Sequence, residues 1–162
     1  ANQGDVDFIF SSWLKSYRVS PYCEKLLNTT YFTEQHRLIE KLLKTSPTIV
    51  ACAHDDPSQI LGYICANRID GVFCLHYAYV KKTFRLMGIF NMLMNSYKGR
   101  DEPGVYSHYS KSMQHISRRY TLIFHPYILI NDYIKTPISE VVLESPALSE
   151  FLNANNQEIA NG

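Results

Sequence analysis

Three β-rich runs follow one another between Thr48 and Val80 with only short turns between them, and this limits the fold more than any other feature of the chain. Thr48–His54 is the first run, and Asp55-Asp56-Pro57-Ser58 after it is turn chemistry. Gln59–Arg68 is the second, Asp70-Gly71 is a tight-turn signal, and Val72–Val80 is the third. Strands in series joined by tight turns pair antiparallel, so the segment predicts a three-stranded meander.

A sheet of this kind needs cover, and the flanking sequence supplies it. Val6–Phe10 is a short apolar run that reads as a further strand. Phe10, Trp13, Leu14 and Tyr17 then fall at i, i+3, i+4 and i+7, a helical stripe that Pro21 ends. Thr33 reads as the cap of a helix over Glu34–Lys44, where Leu38, Ile39, Leu42 and Leu43 share a face. Beyond the meander, Leu86, Phe90, Leu93 and Tyr97 predict a helix from about Arg85 to Tyr97. Pro103-Gly104 turns the chain, Val105–Tyr109 reads as a strand and Lys111–Tyr120 as a helix. Leu122–Ile130 reads as a last strand interrupted at Pro126. The predicted order is β-α-α-β-β-β-α-β-α-β, an α/β fold with a mixed, mostly antiparallel sheet and helices on both faces. Residues 1–130 make one domain, and the polar stretch 131–162, with two prolines and an Asn-rich end, reads as a partly flexible extension.

Composition excludes several classes. With 46% hydrophobic and 19% charged residues the chain is not a disordered one. No apolar run approaches the roughly 20 residues of a membrane-spanning helix, and no charged-then-apolar leader opens the sequence. The four cysteines form no C-x-x-C pair, and Cys52, Cys65 and Cys74 lie in apolar runs, which suits a reducing cytoplasm. Cys74-x-His76 has metal-like spacing but reads better as a pair of buried strand residues, so no metal site is expected. Net charge is +1, yet eight basic residues between Lys81 and Arg119 face only Asp101 and Glu102. A basic middle in a near-neutral chain points to one anionic ligand rather than to nucleic acid or a membrane surface.

That ligand has a natural place at Val80-Lys81-Lys82-Thr83-Phe84-Arg85-Leu86-Met87-Gly88-Ile89. A strand ends at Val80, a basic loop follows, and a helix begins near Gly88. Unpaired N–H groups at a helix start, with Lys81, Lys82 and Arg85 beside them, suit a phosphate-bearing ligand.

The element order and this turn resemble the GNAT superfamily of acyl-CoA-dependent N-acetyltransferases. The family's turn reads Arg or Gln, two residues, Gly, one residue, then Gly or Ala; here it reads Arg85-Leu86-Met87-Gly88-Ile89-Phe90. Two positions depart from it. Leu86 stands where many members carry Gly, and Phe90 where a small residue is usual, so the Phe90 ring either crowds the pyrophosphate or turns into the core. Tyr106-Ser107-His108-Tyr109 and Phe124-His125-Pro126-Tyr127 are also similar to small GNAT-like proteins encoded by bacteriophages.

The resemblance implies acetyl transfer from acetyl-CoA (coenzyme A as co-substrate) to an amine on a small molecule or a protein. A catalytically inactive binding or inhibitory protein of the same fold is the alternative. Tyr79 and Val80 would hold the pantetheine arm, and Arg85, Leu86, Met87, Gly88 and Ile89 the pyrophosphate. His76 occupies the place of the family's glutamate base, and His115 that of its general acid, with Tyr109 and His108 nearby as alternatives for the acid. A homodimer is one assembly the sequence allows. The sheet would splay between the strand ending at Val80 and the one starting near Val105.

Overall fold

The computed structural model describes residues 3–97 and 102–130. The chain opens with helices α1 (Gln3–Arg18) and α2 (Asn28–Thr45), followed by strands β1 (Thr48–Cys52), β2 (Ile60–Ile69) and β3 (Val72–Val80). A 3₁₀ turn (Lys82–Phe84) leads to α3 (Ile89–Asn95), β4 (Gly104–Tyr106), α4 (Lys111–Arg119), β5 (Leu122–Phe124) and a second 3₁₀ turn (Pro126–Leu129). The five strands lie in the order β1-β2-β3-β4-β5. β1–β2 and β2–β3 are antiparallel, as the meander requires, whereas β3–β4 and β4–β5 are parallel and are joined by α3 and α4. Asp70 and Gly71 both take positive φ, 52° and 81°, which makes the two-residue turn between β2 and β3.

Helices cover both faces of the sheet. On one, Ile9, Trp13 and Tyr17 of α1 and Tyr31, Ile39 and Leu42 of α2 pack against Tyr63 and Cys65 of β2. On the other, Ile89, Leu93 and Met94 of α3 and Met113 of α4 pack against Ile64, Ala66, Phe73 and Leu75.

Several expectations are corrected. Val6–Phe10 is not a strand but part of α1, because buried Ile9 continues the stripe of Trp13 and Tyr17 at four-residue spacing. A five-residue apolar run fits either state locally, and packing against β2 and β3 decides it. α2 starts at Asn28, not Glu34, and its cap position, Leu27 rather than Thr33, provides no side-chain hydrogen bond; burial of Tyr31 extends the helix backward. α3 is four residues shorter at its start than the stripe suggests, since positive φ at Leu86 and Gly88 breaks the helix there. β4 stops at Tyr106, and β5 stops at Phe124, just before the second 3₁₀ turn with Pro126 at its start. The extension 131–162 lies outside the described residues.

Leu86 holds a φ of +68° with its side chain wholly exposed. A left-handed conformation costs an L-residue about 1–2 kcal/mol, and no packing of this side chain offsets it. Leu86→Gly is therefore expected to stabilise the fold by about 1 kcal/mol, read as a raised thermal midpoint. An unchanged or lower midpoint would show that the loop is not strained.

Candidate functional site

β3 and β4 pair only from Phe73–Gly104 to Leu75–Tyr106, and their last contact is Ser107 N–H donating to the Leu75 carbonyl at 3.0 Å. Beyond it the two strands part. The cause lies in β3: its register against β2 jumps from Leu75–Ala66 to Tyr77–Cys65, leaving His76 as the extra residue of a bulge. A bulge bends its strand and sharpens the local twist, which carries the C-terminal half of β3 away from β4. It also reverses the alternation, so Leu75, Ala78 and Val80 face α3 and α4 while Tyr77 and Tyr79 face α1.

The parting opens a cavity of about 1190 Å³ that reaches both faces of the sheet. On the α3–α4 side its walls include Arg85, Gly88, Ile89, Phe90, Lys111, Ile116 and Arg119; on the α1 side they include Ser16, Arg18, Ser20, Pro21 and Glu24. Residues 75–80 of β3 run between the two openings. Arg18, Arg85, Lys111 and Arg119 set four cations against one carboxylate, Glu24, among the described lining residues. Arg18 is committed to the connection between the helices: it donates to the carbonyls of Cys23 and Leu26 and to Asn28 Oδ1. Arg85 is exposed and donates through Nε to the Val80 carbonyl at 3.2 Å, which keeps its guanidinium at the end of β3. The cationic mouth is therefore Arg85, Lys111 and Arg119.

Most of the expected binding residues line this cavity. Tyr79, Val80, Arg85, Leu86, Gly88 and Ile89 do; Met87 does not, its side chain standing out in solvent. Lys81 and Lys82 are also absent from the walls: the Lys81 ammonium sits over the Phe8 ring at 4.7 Å. Gly88 has open space where a side chain would project, and its φ of +78°, rather than crowding, calls for glycine. Phe90 sits on the wall with its ring edge-to-face against Tyr120 at 5.6 Å, packed with the core beneath α3 and α4.

The expected catalytic residues separate. His76 lines the cavity, but Tyr109 packs on Phe124 at 5.4 Å and His115 is an exposed residue of α4, and neither reaches the walls. His76 is buried within a chain of side-chain hydrogen bonds. Its Nε2 lies 3.1 Å from Asn67 Oδ1 and its Nδ1 3.2 Å from Ser107 Oγ. Ser107 Oγ is 2.9 Å from His108 Nδ1, and His108 Nε2 is 3.2 Å from Gln35 Nε2. One polarity satisfies every link: Gln35 donates to His108, His108 to Ser107, Ser107 to His76, and His76 to the Asn67 carbonyl. That polarity requires both imidazoles to be neutral. Burial pushes His76 down to about 4, and burial together with the adjacent His76 pushes His108 down to about 3. Cys74 Sγ lies 3.9 Å from His76 Nδ1, and among the described residues no group of three His, Cys, Asp or Glu side chains is arranged to hold a metal ion.

Sequence reasoning missed Tyr77 and the cavity-facing stripe of α4, and named His108 only as a neighbour of the acid position, whereas it stands on the wall. Tyr77 stacks on Trp13 at 4.6 Å and its hydroxyl meets Ser16 Oγ at 2.7 Å, both hydroxyl-bearing residues being on the wall. On α4 the signal was present: Ser112, Ile116 and Arg119 recur at i, i+4 and i+7, one helical stripe facing the cavity.

No protein-family model matches the chain, no curated protein matches its sequence, and no solved structure matches its fold. The class that fold and site define is a mixed five-stranded α/β protein with a cation-rimmed cleft between two parting parallel strands. Among the described residues no helix is long and apolar enough to cross a membrane.

Proposed function

We propose that this chain is a GNAT-type N-acyltransferase that moves an acetyl group from acetyl-CoA to an amine. The observation that carries the reading is the parting of β3 and β4 beside a cationic mouth. An unpaired strand edge offers backbone donors and acceptors to an extended amide-bearing ligand, as in strand addition. From His76 to Val80 the four residue-to-residue steps, at roughly 3.3 Å each, give an edge of about 13 Å for such an arm. Arg85, Lys111 and Arg119 at its outer end suit pyrophosphate and phosphate. The thioester would then lie near the vertex at Leu75 and Ser107, with the acceptor approaching from the α1 side past Glu24.

In the transfer, the amine nitrogen attacks the thioester carbonyl carbon. The C–N bond forms, the C–S bond breaks, and the proton lost by nitrogen ends on the departing sulfur. His76 would act as base only by giving up the Ser107 hydroxyl at Nδ1, because both its ring nitrogens already have protein partners. This observation favours a second reading, a binding or inhibitory protein of the same fold that holds the coenzyme without turning it over.

Coenzyme A tests the first step. At about 100 times its dissociation constant it should add about 2.7 kcal/mol of stability and raise the thermal midpoint by several degrees. Arg85→Ala and Arg119→Ala should each weaken binding about tenfold, the loss of one charge-assisted contact. Absence of any stabilisation by coenzyme A would end the acyl-CoA reading. Thiol release from acetyl-CoA across a panel of primary amines separates the two: release supports the transferase, and tight binding without release supports the inert protein.

A further inference from the structure

We propose that His108 sets the length of the acyl group this cleft accepts, restricting it to short chains such as acetyl and propionyl. The proposal rests on the acyl-CoA reading above. A ligand entering between Arg85 and Arg119 and running inward along β3 reaches the point where the strands rejoin, and there His108 stands on the wall. Behind the wall its ring is held by three aromatic rings and two hydrogen bonds. Trp13, Tyr17 and Tyr77 meet it edge-on, with centroids 5.3, 4.8 and 6.0 Å away. Ser107 Oγ holds Nδ1 at 2.9 Å, and the Gln35 amide holds Nε2 at 3.2 Å.

A side chain pinned in this way does not swing aside cheaply. Displacing it would take from the buried Gln35 amide its bond to the ring, remove one of the two hydrogen bonds at Ser107 Oγ, and disturb three packed rings. A short acyl group stops before the ring. A longer one has to push against it or turn into the α1-side opening, where Glu24 and Pro21 line the way for the acceptor. Either route costs affinity that a short chain keeps.

The test is calorimetric binding of coenzyme A and of acetyl-, propionyl-, hexanoyl- and octanoyl-CoA to the full chain. Acetyl- and propionyl-CoA should bind alike, and hexanoyl- and octanoyl-CoA about tenfold or more weakly, a margin set by overpacking against a fixed ring. His108→Ala should abolish that margin or reverse it. Should that variant fail to fold, Gln35→Ala leaves the ring in place but frees one of its two anchors, and the margin should narrow. Equal affinity of the wild-type chain for all four thioesters, or an unchanged margin in a folded His108→Ala protein, would overturn the role of His108 while leaving the acyl-CoA reading intact. If coenzyme A and every thioester fail to bind, both fall together.

Discussion

Between about pH 7.5 and about pH 5 the folded state is expected to lose about 2 kcal/mol for each of His76 and His108. Both imidazoles are neutral in the fold because burial and the chain of hydrogen bonds through Ser107 leave no room for a second proton. In the unfolded chain an imidazole takes up its proton near pH 6.5. Below that pH the unfolded state binds more protons than the folded state, so stability falls as pH is lowered. The fall continues until the folded-state values are reached, about 4 for His76 and about 3 for His108. Above about pH 7.5, where the unfolded imidazoles are neutral too, the two groups contribute almost no slope. Urea midpoints across this range, together with histidine NMR titrations, check the prediction. A flat stability profile between pH 7 and pH 5, or a buried imidazole titrating near pH 6.5, would show that the chain of hydrogen bonds is not formed as described.

Trp13→Ala is expected to destabilise the protein by about 3–5 kcal/mol, the range for removing a large buried aromatic. Trp13 has no solvent exposure and lies nearly parallel to Tyr77, with an interplanar angle of 10°. The same ring meets His108 edge-on, so the substitution removes the backing of two wall residues at once. The cavity it leaves lies between α1 and the bulged part of β3, where a rigid sheet on one side limits collapse. Chemical denaturation gives the measurement. A loss below about 1 kcal/mol would mean that α1 does not pack on β3 in this way. Trp13→Phe, which keeps an aromatic face toward Tyr77, should recover part of the loss.

Much of the architecture was legible because its signals are local. Asp70-Gly71 specifies a two-residue turn by its tolerance of positive φ, and the apolar, aromatic-rich runs on either side fix the meander. The stripe of Leu86, Phe90, Leu93 and Tyr97 located α3 but overran its start. Hydrophobic spacing does not register the positive φ of Leu86 and Gly88 that delays the helix. Val6–Phe10 misled for a related reason. A run of five residues with four apolar ones suits a strand or a buried helical turn equally, and packing of Phe8 and Ile9 on Tyr63 and Tyr79 of the sheet made it helical.

The candidate site divides along the same line. Arg85 and Gly88 were visible because a basic residue and a glycine between a strand and a helix mark a turn with exposed backbone donors. His76 was visible as a strand histidine, but its state was not. Asn67 of β2 and Ser107, just past β4, reach it directly, and Gln35 of α2 joins through His108, at distances in sequence that no local pattern encodes. Tyr109 and His115 stand off the cavity walls, because the sequence places them near the cleft without saying which way their side chains turn.

By itself, then, the order of residues determined the meander, the helices around it and the charged turn after Val80, all products of local conformational preference and short-range periodicity. Tertiary structure alone decided that β3 carries its extra residue at His76, that β4 leaves it after Leu75, and that two distant histidines meet through Ser107. Those outcomes depend on strand register and on burial, which are set by the simultaneous packing of α1, α2 and three strands rather than by any one segment.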